Sequence, residues 1–227
     1  MRCTMPVFAA NAGFRRQLRD NSLVRLVENS QYPARGLIAS FGRQMPKGYP
    51  GMSANQLLAA MDEVLEQGEA LLMGLSDAQY ADAGDLRASV GAHYRHSLEH
   101  FKLLLEAVNG PQVDYDRRER DTGLEQERLF ALQVTRDFRH AARFLSTLQP
   151  DRPIEARYKI SYAGPGTCSA SSTIGREIMY AVSHAIHHYA LIGMICDLRK
   201  MPVPQDFGVA PSTIDYQTQA RSARRSA

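Results

Sequence analysis

The chain has no tryptophan and only three cysteines, Cys3, Cys168 and Cys196. They form no CxxC pair, and an odd number cannot close a complete disulfide framework. A structural zinc ribbon is therefore excluded, and reduced thiols in a cytoplasmic setting are expected. No run approaches the roughly 18 uninterrupted apolar residues of a membrane span, and no segment has the tripartite plan of a secretory signal. Charge of one sign is scarce as well: 27 lysines and arginines against 24 acids leave a formal charge of +3. The positive residues gather at the ends, in Arg15, Arg16, Arg19, Arg25, Arg35 and Arg43 and in Arg221, Arg224 and Arg225. The middle of the chain lacks a basic surface, so neither nucleic acid nor a membrane is expected as a partner. What is present, 227 residues of which 44% are hydrophobic and 22% charged, suits one globular domain with a modest extension.

Residues 1–51 mix Arg, Asn, Gly and Pro around the acids Asp20 and Glu28 and show no sustained apolar period. They are expected to be poorly ordered, either as an Arg-rich targeting peptide or as sequence upstream of a genuine start at Met52, the second being preferred. Residues 52–213 read as the folded domain, and residues 214–227 as a flexible basic tail.

Four helical segments are predicted. The first begins at Ser53 as N-cap and carries Leu57, Leu58, Met61, Val64, Leu65, Leu71, Leu72 and Leu75 at spacings of three and four. The second runs from Ser89 to Val108, ends at Asn109-Gly110-Pro111, and aligns His93, His96, His100 and Leu104. A capping box of Thr122 and Glu125 opens the third, whose stripe is Leu129, Leu132, Phe138, Ala142 and Leu145. Ile154, Ala156, Tyr158, Ile160 and Tyr162 alternate with polar residues as a short strand or extended crossover. The fourth helix starts at Ser171 or Ser172, continues through Ile178, Val182, Ala185, Tyr189, Ile192 and Ile195 to Leu198, and is closed by Pro202 and Pro204. The fold class expected is all-α, an antiparallel four-helix bundle with a long crossover between helices three and four.

Six of the seven histidines fall in two helical pieces, Ala92 to His100 and His184 to His188. His184 and His188, four residues apart, share a helix face and are spaced to clamp one ion. His187 sits roughly 60° off that line. From the opposing helix a third ligand is available in His93, His96 or His100, and His96 is the central one. A lone histidine is more often a satisfied core or surface residue, but a buried group of imidazoles without a metal leaves many nitrogens to satisfy, at about 1–3 kcal/mol each. A divalent ion is therefore expected on His184, His188 and one of His93, His96 and His100, His96 being the central choice, with zinc, nickel, iron, copper or manganese as candidates. Three protein ligands leave positions open for water or a small-molecule substrate. Ferritin-like di-iron chemistry is excluded by the lack of paired ExxH motifs, and HExxH is absent.

Three stretches then resemble the DinB/YfiT-like superfamily of metal-binding four-helix bundles: Ser89-Val90-Gly91-Ala92-His93-Tyr94-Arg95-His96, Tyr115 to Asp121, and Gly175-Arg176-Glu177 through His184-Ala185-Ile186-His187-His188-Tyr189. Asp206 to Thr213 completes the likeness. The resemblance implies that one histidine of the second helix joins the HxxxH pair around the metal, which falls on His96, His184 and His188. It also implies a metal-dependent hydrolase or a transferase using a low-molecular-weight thiol, with a non-catalytic, stress-associated interaction protein as the alternative. A homodimer is compatible with it. The tryptophan common eight residues before the ligand is replaced here by Ala88, which marks a divergent branch.

Other residues have plainer roles. Glu177 lies two turns before His184, roughly 10 Å along the axis, too far for a ligand, and is read as an outer partner or as helix-dipole compensation. The run Asp114 to Asp121 is expected to pair with itself in a solvated turn, the alternative being an anion site. No neighbouring motif activates Cys168. Tyr180 and Tyr189 are read as packing residues.

Overall fold

The computed structural model describes residues 53–145, 148–164 and 166–225, so the expectations for residues 1–51 lie outside the described residues. Ser53 caps helix α1 (Ala54–Gly74): its side chain accepts the Gln56 N–H, and the Gln56 side chain accepts the Ser53 N–H in return. Ser76 and Gln79 repeat this capping box on the short α2 (Asp77–Ala81). Ser89 caps α3 (Val90–Ala107), which ends where Asn109-Gly110-Pro111 was expected to stop it.

The third predicted helix is two helices. Asp121, not Thr122, is the cap of α4 (Thr122–Gln126), accepting the Gly123 N–H, and Glu127 is extended before α5 (Arg128–Arg143) begins. Most of the expected stripe keeps its phase, with Leu132, Phe138, Ala142 and Leu145 buried. Leu129, expected in the core, is 61% exposed, while Ala131, Leu132, Val134, Thr135, Phe138, Ala141 and Ala142 turn inward. Thr173, rather than Ser171 or Ser172, caps α6 (Ile174–Leu198). Those two serines lie in a strand. Helix α7 (Pro211–Arg225) buries no residue.

The chain is mostly helical, but it is not all-α. The long connection between α5 and α6 folds as β2 (Pro153–Tyr158) and β3 (Cys168–Thr173), an antiparallel pair, and β1 (Gln112–Asp114) joins β2 in parallel to give the order β1-β2-β3. The expected strand is real in its first half; Ile160 and Tyr162 lie past it and are exposed.

Helix α1 packs on α5 and α6, and α3 packs on α6. Arg139 of α5 ties α1 down by gripping Asp62 through two nitrogens, at 2.7 and 3.2 Å, and Glu69 at 2.8 Å. Between α3 and α6, Tyr94 and Tyr189 stack with ring centres 5.9 Å apart. Gly68 of α1 makes room for them, since a Cβ there would collide with both tyrosine hydroxyls. That stack sets the relative register of α3 and α6, and so places the histidines on either side of it. Helix α6 is long and apolar enough by length and composition to cross a membrane, yet its inward face, from Ile174 and Ile178 to Ala185 and Tyr189, is spent on this core.

Candidate metal centre

His93 precedes Tyr94 and His188 precedes Tyr189, so the tyrosine stack brings the two histidine faces together. The Nε2 atoms of His96 and His184 are 2.9 Å apart. One nitrogen from each of His96, His184 and His188 lies within 4.8 Å of the other two. Tetrahedral ligation at about 2.05 Å requires nitrogens about 3.3 Å apart, a separation this cluster brackets. The three histidines expected as ligands thus lie within reach of one another, and each is half-buried.

The neighbouring histidines take different places. His93 Nδ1 lies 3.1 Å from His188 Nδ1. An imidazole that gives Nε2 to an ion keeps its proton on Nδ1, so His188 would donate to His93 and be oriented by it. His100 donates its Nδ1–H to the His96 carbonyl at 2.8 Å, with its ring 4.2 Å from that of His184. His187 points outward and is exposed. His140 belongs to α5 and packs on Phe144.

Burial, reinforced by neighbouring imidazoles and by Arg118, pushes the pKa of His96 down to about 2. The same desolvation takes His188 to about 3 and His184 and His100 to about 4, and lowers His93. All are neutral at pH 7, the form in which imidazole binds a metal.

Beside the histidines lies a buried polar knot around Glu177, whose side chain is fully shielded. Tyr115 and Tyr158 both donate hydroxyl hydrogen bonds of 2.9 Å to its Oε2, while Ser172 and Arg176 donate to Oε1. Burial alone would raise this carboxyl, but the four donors outweigh it and hold it below its usual range. The knot touches the site through rings: Tyr115 stacks on His100 at 5.2 Å and Tyr180 on His184 at 5.5 Å. Glu177 lies in the first turn of α6, where both the outer-partner and the helix-dipole readings had placed it. Tyr180 packs, but it packs on the site itself.

The charged run pairs with itself in part, Asp116 N–H donating to Asp114 Oδ1 and Arg118 Nε to the Tyr115 carbonyl, but its other ends go elsewhere. Glu119 goes to Lys102 at 2.7 Å, and the Asp121 N–H goes to Glu99 at 2.9 Å. Arg118 reaches inward and its Nη1 touches His96 Nδ1. Only the anion-site alternative for this run gave any signal of that placement. Cys168 is exposed, and Cys196 is buried, with its thiol pushed up to about 11.

No family model matches the chain, and no solved structure does. Among curated proteins, FK506-binding protein 5 of Rhizopus delemar is 33% identical over 104 residues. The match covers 46% of this chain and 27% of that protein, so the chain spans little more than a quarter of the relative's length. The finding overturns the expected DinB/YfiT-like membership, together with the hydrolase and thiol-transferase activities that it implied. The residues behind that resemblance are four short stretches, two of them histidine-bearing pieces of α3 and α6, and they do not identify a lineage. Over 104 residues, the chain is similar instead to a fungal protein named for binding FK506.

Proposed function

We propose that the chain binds a divalent metal ion through His96, His184 and His188 and leaves the remaining coordination positions open to a small-molecule ligand. The observation that carries this reading is the convergence of three imidazole nitrogens, from helices α3 and α6, within 4.8 Å. Their neutrality at pH 7 and the outer partners His93 and His100 support it. Iron, nickel, copper and zinc suit such donors better than manganese, and copper(II) is expected to bind most tightly. Metal analysis of the purified chain tests the reading. About one equivalent is expected on the wild type, and almost none on the His184→Ala, His188→Ala double variant. Equal metal content in the two proteins would sink it.

A second reading rests on the relative alone: that the segment shared with FK506-binding protein 5 confers binding of FK506 on this chain. It is tested by calorimetric titration with FK506 and by a peptidyl-prolyl isomerisation assay. Saturable heat at one site supports it, and the absence of heat at saturating FK506 rejects it.

A further inference from the structure

Arg118 makes no direct ion pair among the described residues, although the charges of Glu99 and Asp116 act on it. It is half-buried on the turn between β1 and α4, and its Nε donates to the Tyr115 carbonyl at 3.1 Å. Among the described residues no carboxylate lies within ion-pair distance of it. Its other contact is the touch of Nη1 on His96 Nδ1. The guanidinium is close enough to bear electrostatically on His96, His100, His184 and Tyr180 together. Glu99, one of the two acids that act electrostatically on Arg118, is 2% exposed and already bonded to the Asp121 N–H through Oε1, while its Oε2 has no hydrogen-bond partner.

Two consequences follow if the metal reading holds, on which this inference rests. An ion on three neutral imidazoles keeps its full double charge, and Arg118 adds a third positive charge at the rim. A half-buried cluster of that charge calls for an anion. Ligation through Nε2 also moves the His96 proton onto Nδ1, where it meets the guanidinium N–H head on, donor against donor. Arg118 must then leave His96 and present its planar fork elsewhere.

We infer that the open coordination positions take a small carboxylate, one oxygen on the ion and the other paired with Arg118. The fork of a guanidinium matches the planar, two-oxygen geometry of a carboxylate, and the pair is charge-assisted. Arg118 thereby has opposite effects on the two ligands. It opposes the bare ion, through repulsion and competition for His96, and it favours the anion that follows.

Cobalt(II) absorption provides the readout, with acetate and inorganic phosphate as probes on the wild type, Arg118→Met and Arg118→Lys. Acetate is expected to shift the cobalt spectrum of the wild type. Its affinity should fall about tenfold or more in Arg118→Met, with Arg118→Lys between the two. In the absence of any anion, Arg118→Met should bind cobalt more tightly than the wild type. Equal acetate affinity in wild type and Arg118→Met overturns the carboxylate assignment while leaving the metal site standing. An Arg118-dependent response to phosphate with none to acetate overturns it in favour of a phosphate-bearing ligand. A wild-type chain that takes up no cobalt overturns the metal reading and this one with it.

Discussion

Replacing Glu177 with leucine is expected to destabilise the chain by about 3–5 kcal/mol, read as a lowered midpoint of urea unfolding. The size follows from what the carboxylate holds. Two tyrosine hydroxyls and one serine hydroxyl donate to it from β2, β3 and the end of β1, so one side chain of α6 anchors all three strands. Leucine fills the volume but leaves those donors facing an apolar wall, at about 1–3 kcal/mol for each that stays buried. The Arg176 contribution is discounted, because its side chain is 57% exposed and water screens the pair. Glu177→Gln keeps one acceptor oxygen and should lose distinctly less. The leucine variant should also weaken metal uptake, because Tyr115 leans on His100 from this knot. A leucine variant as stable as the wild type would show that the knot contributes nothing net.

The histidine triad was legible because both parts of it are short-range. His184 and His188 are one helical turn apart on any helix, and His96 is the middle of a stripe on a segment whose helical period is plain. The same short range hid Arg118. Its position depends on the turn from Tyr115 to Asp121 folding back over α3, and that turn is set by Lys102, Glu99 and the β1 pairing, none of which is local to it. The strands β1 and β3 were invisible for a related reason. Cys168 to Thr173 is a run of small polar residues without apolar alternation, mostly exposed, and it becomes a strand by pairing with β2 and by tying Ser172 to Glu177. The third helix was misread at its start, where an N-terminal box at Thr122 and Glu125 competes with Asp121. Asp121 prevails because its backbone N–H is already fixed by Glu99. The local cap expected at Ser53 is formed.

The metal-free chain is expected to lose stability steadily as pH falls from about 6.5 toward about 4, chiefly through its buried imidazoles. In the unfolded chain each histidine protonates near its ordinary value of about 6.5. In the folded chain His184 and His100 resist protonation down to about 4, His188 to about 3 and His96 to about 2. Within that window the unfolded state binds more protons, so stability is present above 6.5 and lost below it, by on the order of 1 kcal/mol per pH unit for each such imidazole. Asp62, Glu69 and Glu177, whose carboxyls are held low, add their own loss only below about 4.5. Glu99, Glu106 and Asp137, pushed up by burial, work in the opposite sense and more modestly. Urea midpoints at about pH 7 and about pH 5 measure the effect, and His100→Leu should flatten the difference by removing one buried imidazole. A wild-type midpoint unchanged over that interval would contradict the burial of these groups. An ion that binds only the folded chain raises its stability by mass action. Because the folded imidazoles hold off protons to about pH 4, acid should release the ion through unfolding, with loss of helical signal and loss of metal occurring together.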